Sequence, residues 1–238
     1  MTEPQLQTSD IIERYLSLAN YVKASGYITH GAVPCPASAV DMAGKVIVFL
    51  DLLNRWNTKV DLVAPAPPRV LLERHFADSW AAWFLISACA PLSPDCAFVD
   101  IGSGAGLPGA VFALLEPERL IFLCEPREKR VLFLKELRRE LGARNIEIIK
   151  KRMEDLKPEE VPGAKLTVSR ALGNEELFLG HSRRLVLASG FAVQMCGPSK
   201  ASSGQTKAIQ GVSIEKVIDY SLSKDGPKRK LEIWKCFT

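Results

Sequence analysis

The feature that most constrains this chain is the run Asp100-Ile-Gly102-Ser-Gly104-Ala-Gly106-Leu-Pro-Gly109, which places four glycines within eight residues. It follows the apolar stretch Ala97-Phe-Val-Asp-Ile101, which reads as a buried strand, and precedes an apolar stretch over 107–115 that reads as a helix. Glycines between a strand and a helix let the backbone turn sharply and let a ligand come close to the main chain. In a doubly wound sheet such a turn lies at the carboxyl ends of the strands, where ligands bind.

The residues that follow repeat the alternation. Strands are predicted at 120–124, 146–149, 166–169 and 191–195, and helices at 127–141, closed by Gly142, and at 175–188. Strands alternating with helices give an α/β fold with a doubly wound, parallel sheet. Two further strand-like runs, 212–220 and 230–237, are joined by a Gly/Pro turn with no helix between them, so they form an antiparallel C-terminal pair. Before residue 92 the pattern is helical throughout. Apolar residues recur at helical spacing over 9–24, with Ser9 or Asp10 as N-cap. A second helix starts at Pro36, after a Gly/Pro connection over 26–37, and a third spans about 68–88. The expected organisation is an N-terminal helical cap over 1–92 and a cofactor-binding domain over 93–238.

The glycine loop parses in two ways. Gly104-x-Gly106-x-x-Gly109 satisfies the dinucleotide fingerprint, which keeps an NAD(P)-binding oxidoreductase open. Asp100-x-Gly102-x-Gly104-x-Gly106 satisfies the acidic loop that binds S-adenosylmethionine, and Asp100 there faces a cationic ligand end. The dinucleotide frame leaves Pro108 where the pyrophosphate-binding helix should start, so the second frame is preferred. The loop residues Asp100, Gly102, Ser103, Gly104 and Gly106 are then cofactor contacts. Glu125 ends the second strand, where a carboxylate accepts hydrogen bonds from ribose hydroxyls in either frame. Arg152-Met153-Glu154-Asp155 follows the third strand, either as an adenine-holding segment or as an ordinary acidic helix start. Ser169-Arg170-Ala171 ends the fourth, where Arg170 can hold a ligand carboxylate or phosphate or form a structural ion pair. In the helical region Arg74-His75-Phe-Ala-Asp78-Ser79 sets His75 and Asp78 on the helix before the sheet.

Composition narrows the class. The chain has 238 residues, 47% hydrophobic, which suffices for a full core and excludes a disordered chain. The N-terminus lacks a basic and apolar leader, and no run approaches about 18 apolar residues, so a soluble cytoplasmic protein is expected. Cys35, Cys89, Cys96, Cys124, Cys196 and Cys236 show neither CxxC nor zinc-finger spacing, and the expectation is reduced, buried thiols and no metal. The net charge of +4 is uneven. Residues 1–95 carry 7 basic against 9 acidic side chains, and the remainder carries 24 against 18. The basic half permits a polyanion partner.

Taken together, Trp56-Asn57, Arg74–Ser79, Asp100–Gly109, Glu125–Arg130, Arg152–Leu156 and Ser169-Arg-Ala171 resemble the bacterial 16S ribosomal RNA guanine-N7 methyltransferases, the glucose-inhibited division protein B family. The resemblance covers about residues 50–197. Its most specific parts are Gly102–Gly109, with Leu-Pro-Gly inside it, and Arg74-His-x-x-Asp-Ser79. It implies a class I methyltransferase fold with a helical cap and S-adenosylmethionine as cofactor, held by Gly102, Leu107, Glu125, Met153, Glu154 and Arg170. It also implies 16S ribosomal RNA or the small ribosomal subunit as partner. The chain departs from the family at Asp61-Leu-Val63, where Asn-Leu-Thr is usual, and at Met195-Cys-Gly197, where Lys-Gly is usual. Guanine N7 has a free lone pair at neutral pH, so this chemistry needs positioning, assigned to Arg170, His75 and Asp78, and no general base. Loop 197–211 and the tail residues Lys228, Arg229 and Lys230 are read as flexible RNA contacts, and the protein as a monomer without membrane association.

Overall fold

A computed structural model of the chain describes residues 5–26, 38–90, 92–170, 173–197 and 209–237. Cys35, Ala171, most of the 26–37 connection and the stretch 198–208 of the expected RNA-binding loop lie outside the described residues.

Seven strands form one sheet: β1 (Ala97–Ile101), β2 (Ile121–Cys124), β3 (Ile146–Ile149), β4 (Ala164–Arg170), β5 (Gly190–Cys196), β6 (Val212–Tyr220) and β7 (Arg229–Cys236). Their order is β3-β2-β1-β4-β5-β7-β6. The first five are parallel, and β7 runs antiparallel between β5 and β6, as the absence of a helix between the last two strands predicts. All five residues of β1 are buried, which explains why its sequence is apolar without alternation.

Helices α1 (Thr8–Ala24), α2 (Ala39–Asn57), α3 (Pro68–Leu71) and α4 (Asp78–Cys89) build the cap, and α5 (Gly109–Leu115), α6 (Glu128–Glu140) and α7 (Glu175–Leu185) cover the sheet. Helix α1 starts earlier than expected, with Gln7 as N-cap. Asp10 is not the cap itself: its carboxylate accepts the Gln7 N–H at 2.8 Å. The expected third helix is broken by a π-helical turn, Leu72–Ala77, which joins α3 to α4. One apolar core runs without interruption from Ile11 and Phe49 in the cap, through Trp80 and Phe98, to Leu137 on α6. Tyr15 stacks edge-on against Trp80 at 5.2 Å and Trp83 meets Phe98 at 5.4 Å, so aromatic contacts tie cap to sheet.

The C-terminal segment is a correction to the sequence reading. Arg229 is not part of a flexible basic tail. It opens β7, and its side chain, 9% exposed, pairs with Asp78 at 2.9 Å. Lys230 is likewise fixed in the ladder, opposite Cys196 and Asp219, and only Lys228 of the three stays exposed outside a strand. Among the described residues Cys96, Cys124, Cys196 and Cys236 are buried and Cys89 half-buried, and none of the five is in a disulfide. No helix among them is long and apolar enough to cross a membrane.

Candidate functional site

The carboxyl ends of β1, β2 and β4 open onto a cleft built from two adjoining hollows of about 480 and 430 Å³ that meet at Gly102, Pro126 and Arg127. Of the residues expected from sequence, Gly102, Ser103, Gly104, Leu107, Glu125 and Arg170 line the first hollow. Gly102, Met153 and Glu154 line the second. Four residues lie off the walls. Asp100 sits under the loop and Gly106 on its packed side, and His75 and Asp78 sit in the cap, on the π-helical turn and at the start of α4.

The loop takes its path from its glycines. Gly102 (φ +75) and Gly104 (φ +54) adopt a conformation that side chains rarely tolerate, and a Cβ on Gly104 would come 3.4 Å from the Arg130 guanidinium. Gly106 serves packing instead, since a Cβ there would press on Ala110, Leu134 and Leu137 at 3.2 Å. Glu125 fixes the loop from the neighbouring strand. One carboxylate oxygen accepts the Gly104 N–H at 3.0 Å and the other accepts the Arg127 N–H at 2.9 Å. Each oxygen keeps a lone pair for a further donor.

Asp100 lies under the turn, 1% exposed. One of its oxygens accepts the Gly109 N–H at 2.8 Å, and Oδ1 is buried without a hydrogen-bond partner. Burial, aided by the nearby Glu125 charge, pushes its carboxyl up to about 7, against the pull of the Gly109 N–H and Arg170.

The cap supplies the other wall. Asn57 donates to the Val63 carbonyl at 2.8 Å and accepts the Leu62 and Val63 N–H groups, which folds residues 58–63 into a loop whose Leu62 and Val63 face the glycines. Trp56 donates to Glu136 at 3.0 Å and Arg130 donates to the Asp61 carbonyl at 2.9 Å, anchoring that loop on α6. Trp56-Asn57 is the sequence signal for this wall. Lys151 and Leu177, which also line the cleft, carry none.

A buried polar cluster joins the cap to the C-terminal strands. Asp78 Oδ1 accepts the Tyr220 hydroxyl at 2.7 Å and pairs with Arg229 at 2.9 Å. Burial raises the Asp78 carboxyl, against the pull of Arg229 and Tyr220. His75, on the π-helical turn, is held down at about 3 by burial and by Arg170, Arg74 and Arg229, so it is neutral at physiological pH, and its Nδ1 is buried without a partner. Among the described residues no group of three or more His, Cys, Asp or Glu is arranged to hold a metal ion.

Comparison with known proteins places this geometry. The family model described as rRNA small subunit methyltransferase G matches residues 42–231. This chain belongs to the rRNA small subunit methyltransferase G family. The protein of that name from Desulfotalea psychrophila is 34% identical, with 76% of this chain and 83% of that protein covered. The one from Shewanella woodyi is 28% identical, with 82% and 90% covered. Among solved structures, a SAM dependent methyltransferase from Aquifex aeolicus covers 72% of this chain and 94% of its own at 14% identity and a TM-score of 0.50. TrmN from Thermus thermophilus covers 70% and 53% at 14% and 0.51. These two establish the fold, the class I methyltransferase sheet. Membership in the rRNA small subunit methyltransferase G family makes the chain an S-adenosylmethionine-dependent methyltransferase of small-subunit ribosomal RNA, as the sequence resemblance implied. The oxidoreductase reading of the glycine loop therefore falls.

Proposed function

We propose that the chain methylates guanine N7 in small-subunit ribosomal RNA, acting as a cytoplasmic monomer, with residues 1–92 as a cap over a methyltransferase domain at 93–238. The observation that carries this reading is the two-part cleft, whose hollows join at Gly102 between the open Gly102–Leu107 backbone and the Met153-Glu154 segment.

The residues present fit S-adenosylmethionine. The backbone at Gly104 lies open on the first hollow, where a Cβ would stand 3.4 Å from the Arg130 guanidinium, and the Asp100 Oδ1 under the same loop is buried without a hydrogen-bond partner. In this reading Glu125 accepts from ribose hydroxyls with its remaining lone pairs, and Met153 and Glu154 flank the adenine. The cofactor, when bound, supplies a methyl group already activated on a cationic sulfur. Guanine N7 offers its lone pair without losing a proton, so no side chain has to act as base. What the chain supplies is orientation and exclusion of water. Arg170 stands at the cleft mouth as the group that holds an anionic part of a ligand. His75 and Asp78 belong to its charge environment, and His75, neutral, brings no competing charge.

The decisive experiment is mass spectrometry of nucleosides from small-subunit ribosomal RNA of cells with and without the protein. Loss of 7-methylguanosine in its absence is the expected result. Unchanged 7-methylguanosine with loss of another methylated nucleoside would overturn the N7 assignment and leave the family intact.

A further inference from the structure

The carboxylate of Glu125 is 2% exposed, and among the described residues Arg130 is the one cation within 4.0 Å of it, with Nη1 3.8 Å from Oε2. Both carboxylate oxygens already accept a backbone N–H, from Gly104 at 3.0 Å and from Arg127 at 2.9 Å, and each can take one further donor. A guanidinium free to turn would fill that place itself, because a charge-assisted hydrogen bond is stronger than a neutral one. Arg130 is tethered instead. Its Nη2 donates to the Asp61 carbonyl at 2.9 Å, and Asp61 belongs to the cap loop that Asn57 folds. The pair therefore gives Glu125 a positive neighbour too distant for a hydrogen bond, and it leaves the remaining lone pairs of a residue that lines the first hollow unspent.

We propose that Arg130 is a positioning residue: held on the cap wall at Asp61, it supplies the charge that keeps Glu125 a buried double acceptor, at a distance that reserves that acceptor for the ribose hydroxyls of the cofactor. Arg130 takes no part in methyl transfer. A buried carboxylate stripped of its one nearby cation is costly, and it recovers by taking up a proton or by turning to water. Either change ends its use as a double acceptor. The ligand chemistry selected is a vicinal diol. This rests on the reading of Glu125 given above, and it brings the Asp61-Leu-Val63 wall into cofactor selection. Because Arg130 grips a main-chain carbonyl, the tether does not depend on which side chain stands at position 61, so the departure from Asn-Leu-Thr there leaves it intact.

The test is calorimetry with S-adenosylhomocysteine and its 2′-deoxy analogue on wild type, Arg130→Gln, Glu125→Gln and the double variant. Wild type should prefer the ribose form by at least tenfold. Arg130→Gln should lose at least tenfold toward S-adenosylhomocysteine and less than threefold toward the deoxy analogue, so that the preference collapses. In the double variant no buried charge is left to compensate, and its affinity should match that of Glu125→Gln alone within threefold. Equal losses toward both ligands would mark Arg130 as scaffolding for the cleft and overturn the proposal, as would a double variant whose losses add. Wild type that does not distinguish the two ligands refutes the assignment of Glu125 to the ribose, and the proposal with it. A wild-type preference that survives in Arg130→Gln refutes the proposal alone and leaves Glu125 in its role. If Arg130→Gln does not fold, Arg130→Lys takes its place. The ammonium keeps a charge but lacks the fork that spans Asp61 and Glu125, so the preference should fall at least threefold, and full retention overturns the proposal.

Discussion

The Gly109 N–H donates to the Asp100 carboxylate at 2.8 Å across the glycine turn, and this close approach leaves little room for a side chain at position 109. A Cβ at position 109 would stand 2.7 Å from the Asp100 carboxylate and 2.5 Å from Leu123. Gly109→Ala should therefore overpack the start of α5 and cost about 1–3 kcal/mol. Urea unfolding measures this, and a loss under about 0.5 kcal/mol would show that Leu123 swings clear and Asp100 does not set the spacing.

Gly104→Val should act on binding, beside a backbone-strain cost that leaves the fold cooperative. A β-branched side chain is a poor fit to φ +54, and it would occupy the space in front of the cleft. The expected result is at least a tenfold loss of S-adenosylhomocysteine affinity by calorimetry, in a protein that still unfolds cooperatively. Normal affinity would remove this loop from the site.

His75 and Asp100 should give stability slopes of opposite sign with pH. Asp100 is raised to about 7, so the folded state holds a proton that the unfolded carboxyl, near 3.9, releases, and its contribution is lost as pH climbs from about 4 to 7. His75 is depressed to about 3, so the unfolded state binds the extra proton, and its contribution is lost as pH falls from about 6.5 to 3. Between pH 4 and 6.5 the two oppose each other. Relative to wild type, Asp100→Asn should gain stability as pH rises through this window and His75→Gln should lose it. Urea midpoints at pH 4.5, 5.5 and 6.5 decide this, and parallel curves for all three proteins would contradict both assignments.

The same Asp100 carboxyl ionises inside the working range of the enzyme. Adenosylmethionine affinity should rise several-fold from pH 6 to 8, because the carboxylate favours a cation, and S-adenosylhomocysteine, which lacks the sulfonium charge, should respond less. Single-turnover transfer at saturating cofactor should stay nearly flat from pH 6.5 to 8.5, as a base-free step requires. A steep rise of that rate with pH would reject N7 as acceptor.

Lys59, Arg127, Lys129 and Arg130 surround a hollow beside the cleft, and Arg127 and Arg130 line the cleft as well. Lys59→Gln with Lys129→Gln should weaken RNA binding while leaving S-adenosylhomocysteine affinity unchanged. The salt slope should flatten by about 0.7–0.9 for every phosphate that the variant no longer neutralises. An unchanged slope in filter binding would mean that these lysines only solvate the surface.

Much of the fold is legible in the sequence because buried parallel strands are continuous apolar runs. Ala97–Ile101 and Ile121–Cys124 announce themselves, and the Asp100–Gly109 spacing announces the turn between them. The π-helical turn at Leu72–Ala77 is not legible, since an extra residue in one turn leaves the apolar spacing almost intact. Arg229 misleads for a different reason. A Lys-Arg-Lys run after a Gly-Pro turn looks like a solvated tail, and what removes its middle residue from solvent is Asp78, which sits far away in the sequence. Tyr220 reaches the same carboxylate across 142 residues, a contact that only the position of β6 and β7 beside β5 creates. Local pattern thus reveals the cofactor side of the site, and long-range topology builds the buried cluster around Asp78.

The uninterrupted core from Ile11 to Leu137 also limits how this enzyme can breathe. A cap welded to the sheet by Trp80, Trp83 and Phe98 has no hinge plane on which to swing as a lid. Admission of a nucleotide and release of the spent cofactor then fall to the short connections around the rim, and turnover becomes a matter of local gating on a rigid body.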